Sequence, residues 1–287
     1  MAWGSGRGQR PAIVAGDRGT RPGRLAGHAA LVTGATAGIG KAIAARFAEE
    51  GASVVVHGLD PTDAAAAARD ISRGGSQAVG VAADLAAAEA PEQLAQVARD
   101  AFGPLDILVN NAALKTRGDL ASTGAAAFDE MIAVNLRAPL LLVRALMGHF
   151  RERGRGAVLN IGSVNAYCGE ANLLAYSVSK GGLMTLSRNL ADALAPEGVR
   201  VNQLNVGWVL TESEDELCRA RGFPQGWADR LPKVFAPTGT LLSPDDIAHY
   251  ALAFVEDAGW RVSGAVVELE QYPVVGRNPP KDLGLLK

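Results

Sequence analysis

Thr33-Gly34-Ala35-Thr36-Ala37-Gly38-Ile39-Gly40 follows a short apolar run, Ala29 to Thr33, and precedes a stretch with Ile43 and Phe47 four residues apart. The pattern is that of a strand, a glycine turn and a helix over Lys41 to Glu50, which Gly51 stops. Three glycines in eight residues carry little weight in a chain with 34 of them. At a strand-to-helix junction they carry much more. A helix N-terminus offers unpaired N–H groups and a partial positive charge. Glycines let the backbone turn tightly and come close to an anion without a Cβ in the way. The loop is therefore expected to cradle a pyrophosphate.

Outward from this loop the chain alternates between strand and helix. Further strands are predicted at Ser53 to Val56, Ala78 to Ala82, Ile107 to Val109, Ala157 to Ile161, Val199 to Leu204 and Ala265 to Leu269. Helices are predicted at Ala64 to Ser72, Pro91 to Phe102, Phe128 to Phe150 with a bend at Pro139, Ala175 to Ala195, and Pro244 to Glu256. Seven short strands separated by helices make an α/β protein: one doubly wound, Rossmann-type parallel sheet with helices on both faces. A single domain is expected over residues 25–272, with a C-terminal tail over 273–287.

With 48% hydrophobic and 20% charged residues, the 287-residue chain is neither disordered throughout, nor collagen-like, nor a coiled coil. A net charge of −2 gives no global attraction to nucleic acid or anionic lipid, so neither is expected as a partner. Uninterrupted apolar runs such as Ala138 to Val143 are too short to span a membrane. Cys168 and Cys218 cannot make a disulfide framework, and the histidines at 28, 57, 149 and 249 show no metal-ligand spacing. No metal site is expected, and a cytoplasmic location is. Residues 1–24 differ: six Gly and five Arg against the single acid Asp17 make a basic tail. Such a tail could touch nucleic acid or a membrane; its composition suits a disordered extension.

A second constellation sits on the predicted helix near residue 180. Tyr176 and Lys180 are four apart, hence on one helical face. Ser163 follows the preceding strand, and strand carboxyl ends in an open α/β sheet are where ligands bind. A hydroxyl, a phenol and an ammonium can therefore converge beside the ligand of the glycine loop. A phenol is a poor acid–base at neutral pH. A neighbouring cation favours the phenolate and makes it usable.

These motifs resemble those of the short-chain dehydrogenases/reductases, from about Leu25 to about Leu269. Thr33 to Gly40 matches T-G-x-x-x-G-x-G. Asp84-Leu85 matches the pair that holds the adenine. Asn110-Asn111-Ala112-Ala113 is similar to N-N-A-G, and Asn135 matches the family's helix asparagine. Ser163 and Tyr176-x-x-x-Lys180 match the catalytic core. The resemblance implies hydride transfer between a nicotinamide dinucleotide and an alcohol or carbonyl. Tyr176 would be the acid–base, and Ser163 would steady the substrate oxygen. Lys180 would bind the nicotinamide ribose and lower the Tyr176 pKa, and Asn135 would hold a relay water. Gly34, Thr36, Gly38, Ile39, Gly40, Gly58, Leu59, Asp84, Leu85, Asn111, Ala112, Tyr176, Lys180, Gly207, Val209 and Thr211 would line the cofactor. A homo-oligomer, dimer or tetramer, is also implied.

Departures from the family pattern shape the finer expectations. The usual P-G reads Val206-Gly207, and the usual D-G-G reads Glu270-Gln271-Tyr272. An acid at 58 would mean NAD, and a base at 37 or 59 NADP; the chain has Gly58, Ala37 and Leu59. Asp60 would repel a phosphate if it turned inward, Lys41 and His57 are the nearest candidate cations, and the lean is to NAD. Asn165, Tyr167, Glu170, Asn172, Lys115 and Thr116 are expected around the pocket mouth, which suits a sugar, polyol or other small polar alcohol. Residues 208–234, with two Trp and one Phe, are expected to form a mobile lid, or else to pack against another subunit. The acidic run Glu212 to Glu216 reads as a solvated helix start, and Cys168 as passive lining. A dinucleotide-dependent epimerase or dehydratase, or a non-catalytic dinucleotide sensor, uses the same scaffold; the intact set Asn135, Ser163, Tyr176 and Lys180 favours oxidoreduction.

Overall fold

A computed structural model describes residues 23–73, 75–259 and 261–272. The expectations for the first 22 residues and for 273–287 lie outside the described residues. The strands are β1 (Ala29–Val32), β2 (Ser53–Gly58), β3 (Gln77–Ala82), β4 (Ile107–Asn110), β5 (Gly156–Ser163), β6 (Val199–Val206) and β7 (Val266–Leu269). They form one parallel sheet in the order β3-β2-β1-β4-β5-β6-β7. The helices are α1 (Gly38–Glu49), α2 (Pro61–Ile71), α3 (Ala90–Phe102), α4 (Ala125–Ile132), α5 (Ala138–Arg153), α6 (Asn165–Cys168), α7 (Leu174–Leu194), α8 (Glu212–Ala220) and α9 (Pro244–Val255).

The sheet is buried on both faces, as a parallel sheet must be. Val54, Val56, Val109 and Leu159 join Ile43 and Phe47 of α1 and Leu252 of α9 in one apolar cluster. Leu31, Leu108 and Val158 join Leu94 of α3 and Leu142, Leu146 and Phe150 of α5 on the opposite face. Helix starts follow local chemistry. Asp60 caps α2, accepting from the N–H groups of Thr62 (2.7 Å) and Asp63 (3.1 Å), with Pro61 in the first turn. Ser243 and Asp246 form a reciprocal capping box on α9.

The predicted long helix is divided. A π-helical turn, Ala133–Arg137, separates α4 from α5, and the Ala138 N–H reaches back to the Ala133 carbonyl. Pro139 is the cause: it has no N–H for the Asn135 carbonyl, and its ring excludes the regular turn. The combined helical run Ala125–Arg153 is long and apolar enough to cross a membrane. Counting only unbroken apolar runs missed this. Leu142, Leu146 and Phe150 are buried on the sheet, which makes it a core helix here.

β5 and β6 each run two residues beyond their predicted ends and pair there, Gly162 with Asn205 and Ser163 with Val206, and a polar ladder crosses the core beside them. Asn110 Nδ2 donates to Asn160 Oδ1 (2.8 Å), and Asn160 Nδ2 to Ser187 Oγ (2.7 Å). The Ser187 proton is shared between the Leu183 carbonyl (2.8 Å) and Gln203 Oε1 (2.7 Å), and Gln203 Nε2 donates to Asn205 Oδ1 (2.7 Å). This ladder ends beside Gly162, where a Cβ would fall 2.1 Å from Asn205 Oδ1.

Candidate active site

The crevice opens between β1 and β4, where the strand order reverses. Thr33 laces the two strands. Its Oγ1 donates to the Val109 carbonyl (3.2 Å) and accepts from the N–H groups of Asn111 and Ala112 (both 3.0 Å). Asn111 Nδ2 donates to the carbonyls of Thr33 and Gly34 (both 2.9 Å). A Cβ on Gly40 would fall 2.2 Å from the Gly34 oxygen, so this turn requires glycine there. Gly34 and Gly38 have φ values of +60° and +52°. The result is a tight backbone cradle at the start of α1, which fits a dinucleotide pyrophosphate. Thr211, the N-cap of α8, sits against Gly38: its Cγ2 would be 3.3 Å from a Cβ there.

Beside the cradle lies a cavity of about 470 Å³. Of the expected cofactor residues, Ile39, Asn111, Tyr176, Lys180, Gly207, Val209 and Thr211 line it. Gly34, Thr36, Gly38, Gly40, Gly58, Leu59, Asp84, Leu85 and Ala112 do not line it; they end or follow β1 to β4. Leu59 and Asp84 are exposed, and Leu85 is buried in the core. Asp84 Oδ1 accepts from the Ala86 N–H (2.9 Å).

Ser163, Tyr176 and Lys180 line the same cavity. Lys180 is buried; its Nζ donates to the Ile161 carbonyl (2.7 Å) and lies 5.7 Å from the centre of the Tyr176 ring. Burial lowers the ammonium to about 8. Tyr176 departs from expectation. Burial is the largest influence on it and pushes the phenol above its ordinary range; hydrogen bonding to Ser163 pulls the other way, and Glu214 adds to the rise. Asn135 is buried and acts as a brace. It accepts from the Leu114 N–H and donates to the Leu114 carbonyl (both 2.8 Å) and to Ser179 Oγ (3.0 Å), tying the loop after β4 to α7.

The groups read as charges near the phosphate are engaged within the chain. His57 is no cation for a phosphate. It is buried, its Nδ1 accepts from the Gly34 N–H (3.2 Å), and its Nε2 faces the Ala83 carbonyl (3.0 Å). Burial holds its pKa down, so the ring is a neutral strut under the glycine turn. Lys41 is paired with Asp70 (3.0 Å). Asp60 caps its own helix, its Oδ1 taken up by the N–H groups of Thr62 and Asp63.

The mouth also differs. Asn165, Glu170 and Lys115 line the cavity, but Tyr167, Asn172 and Thr116 do not. Glu170 pairs with Arg117 (3.2 Å) and Lys115 with Glu214 (3.2 Å). The acidic run is therefore only partly a solvated helix start. Glu214 also accepts from Trp208 Nε1 (3.1 Å), and Asp215 from Trp227 Nε1 (2.9 Å). The aromatic residues pack within the chain: Trp208 stacks on Trp227 at 5.3 Å, and Phe223 and Phe235 complete a small apolar cluster. Cys168 is exposed and lines the cavity, whereas Cys218 is buried in this cluster, which pushes its thiol up to about 11.

Sequence reasoning missed Glu270. Its Oε2 accepts from the Trp208 N–H (3.2 Å) and lies where a Cβ on residue 207 would be, at 1.8 Å. Burial raises its pKa. The one signal was the acid in place of the family's aspartate after the last strand. Among the described residues no group of three or more His, Cys, Asp or Glu could hold a metal ion.

A seven-stranded parallel sheet with a glycine cradle at its switch point and a Ser–Tyr–Lys cluster beside it defines a dinucleotide-binding α/β protein. The family model for the short chain dehydrogenases matches residues 28–221, and the chain belongs to that family. It is 36% identical over 230 residues to a (2S)-[(R)-hydroxy(phenyl)methyl]succinyl-CoA dehydrogenase subunit of Thauera aromatica, covering 80% of this chain and 90% of the relative. It is 34% identical over 234 residues to 2-(S)-hydroxypropyl-CoM dehydrogenase 3 of Xanthobacter autotrophicus, covering 81% and 91%. The crystal structure of L-sorbose reductase from Gluconobacter frateurii, complexed with NADPH and L-sorbose, superposes with a TM-score of 0.82 at 27% identity, covering 86% of this chain and 96% of that one. The chain is an NAD(P)-dependent oxidoreductase of alcohol and carbonyl groups.

Proposed function

We propose that Tyr176 exchanges the proton of a secondary alcohol or carbonyl in the 470 Å³ cavity, with Ser163, Lys180 and Asn135 in support. One observation carries this reading: Ser163, Tyr176 and Lys180 line one cavity with Ile39 of the glycine loop. A bound nicotinamide dinucleotide would supply the hydride acceptor or donor. The pyrophosphate would lie on the cradle of Gly34, Gly38 and Gly40, and Lys180 would hold the nicotinamide ribose. In oxidation, Tyr176 Oη takes the proton of the substrate hydroxyl. In reduction it gives one to the nascent alkoxide. Ser163 Oγ donates to the same oxygen as charge develops. Asn135 fixes the loop and helix that frame the cluster.

NAD is the proposed cofactor. Of the two side chains the sequence offered to a 2′-phosphate, His57 is a buried ring whose pKa is held down and Lys41 is paired with Asp70. Neither is available for a 2′-phosphate. The NADPH bound to L-sorbose reductase points the other way, and parallel titration with the two oxidised cofactors decides the matter: tighter binding of NADP⁺ overturns the choice. The substrate is a small polar alcohol, sugar-like by preference. The hydrogen-bonding side chain of Asn165 in the lining and the likeness to a sorbose reductase support this class. Action as a cytoplasmic homo-oligomer belongs to the same proposal.

Replacing Tyr176 with Phe preserves shape and removes the proton. Turnover is expected to fall by at least about 100-fold with cofactor affinity nearly unchanged. Near-normal turnover of Tyr176→Phe on a verified substrate would remove the tyrosine from the mechanism.

A further inference from the structure

The cavity mouth carries three cationic side chains, Lys115, Arg117 and Arg221. Two are already answered. Lys115 is held by Glu214, and Arg117 by Glu170. Arg221, at the C-terminal end of α8, has no carboxylate partner among the described residues. Its backbone N–H closes the helix end on the carbonyls of Leu217 and Cys218, which fixes where the side chain starts. Ser163 and Tyr176 line the same cavity. The wall carried by the segment after β6 is apolar, with Leu217, Cys218, Phe223 and Phe235.

An unpaired guanidinium beside a cleft with apolar walls attracts an anion and offers a planar fork of donors that matches a carboxylate. The carboxylates of the cavity cannot serve it. Glu170 and Glu214 are each engaged by another cation, and Glu270 is bound to the N–H groups of Trp208 and Gln271. Arg221 is exposed, and among the described residues it is left free to meet an anion that comes with the ligand. From this we infer that the substrate is a hydroxy acid or oxo acid, whose reacting carbon lies at Ser163 and Tyr176 while its remote carboxylate is read by Arg221. This rests on the oxidoreductase reading above and narrows the small polar alcohols proposed there to those that carry a carboxylate, sugar acids included. Arg221 is then a specificity residue that selects charge at the far end of the substrate and takes no part in proton exchange.

The test pairs a panel of short- and medium-chain hydroxy acids with their primary amides, which keep size and polarity but lose the charge. Initial rates are read in wild type, Arg221→Gln and Arg221→Lys, with melting curves to confirm folding. Wild type is expected to prefer the acids. Arg221→Gln should lower kcat/KM for the acids by at least about tenfold, mainly through KM, and leave the amides unchanged. Arg221→Lys should recover part of the loss. Turnover confined to neutral alcohols, or an acid-over-amide preference that survives in Arg221→Gln, overturns the inference and leaves the oxidoreductase reading intact. That reading fails separately, if Tyr176→Phe retains full turnover on whichever substrate is found.

Discussion

Tyr176 and Lys180 hold opposing tendencies in one small volume. Burial raises the phenol and lowers the ammonium to about 8, so both groups resist the charged form. Alcohol oxidation needs a tyrosine able to accept a proton, and the population of phenolate grows with pH. We expect kcat/KM for oxidation to climb from neutral pH through about pH 8 and beyond, with reduction favoured on the acid side. A measured profile that falls as pH rises from 7 would contradict this assignment. The identities of Ser163, Tyr176 and Lys180 were legible because their spacing relative to predicted elements is local. The state of His57 was not legible. It depends on contacts to Gly34 and Ala83, 23 and 26 residues away, that turn a candidate cation into a neutral strut.

At the scale of elements, the segment after β6 is the part least evident in the sequence. Its aromatic residues suggested a mobile cover, yet Trp227 is fully buried and hydrogen-bonded to Asp215, and Trp208 stacks on it. The segment has a small core of its own, with Phe235, Ala236 and Leu241. The pairings of Leu210 with Leu242 and of Trp208 with Glu270 fasten it to the body. Trp227→Ala should empty that small core while sparing the sheet. The expected signature is a raised KM and faster proteolytic cleavage within 208–242, with cofactor affinity unchanged. A variant with wild-type KM and protease resistance would mean that the segment does not depend on this packing. The division of the long helix at Ala133–Arg137 could be anticipated from Pro139, but its π form could not, because it also needs the Asn135 side chain anchored at Leu114.

Across the whole molecule, the amino ends of the strands are held by one buried acid. Asp106 accepts from the Ala29 N–H (2.9 Å) and pairs with Arg153 and Arg155 (both 3.0 Å), with His28 beside it (3.0 Å). Burial acts to raise this carboxyl, but the His28, Ala29 and Arg153 interactions together outweigh it and hold the pKa at about 2. Because the folded value lies below the unfolded one, the stabilisation is complete above about pH 4 and is lost as pH falls toward 2. The shift corresponds to about 2 kcal/mol. Asp106→Asn is expected to melt lower at pH 7 and to lose less stability than wild type between about pH 4 and pH 2. Parallel pH curves for the two proteins would rule out this role. The seven strands and their parallel, doubly wound arrangement followed from periodicity, since such a sheet repeats one local pattern. The Asp106 cluster joins residues from 28 to 257 and carries no local pattern.

Gly162 also constrains how this sequence can change over generations. The space a side chain would take there is already filled by Asn205 and Gln203, which lean on Ser187 and Asn160 in turn. A drift from Gly162 to serine is tolerable only in a lineage that has already given up the amides at 203 and 205. Giving those up first takes the Gln203 acceptor from Ser187 and thins the buried ladder to Asn110, Asn160 and Ser187. The positions are epistatic, and each is neutral only in the background of the others. Descendants of this chain should keep or lose the whole set together, so joint occurrence of Gly162, Gln203 and Asn205 would mark a lineage within the family independently of overall identity.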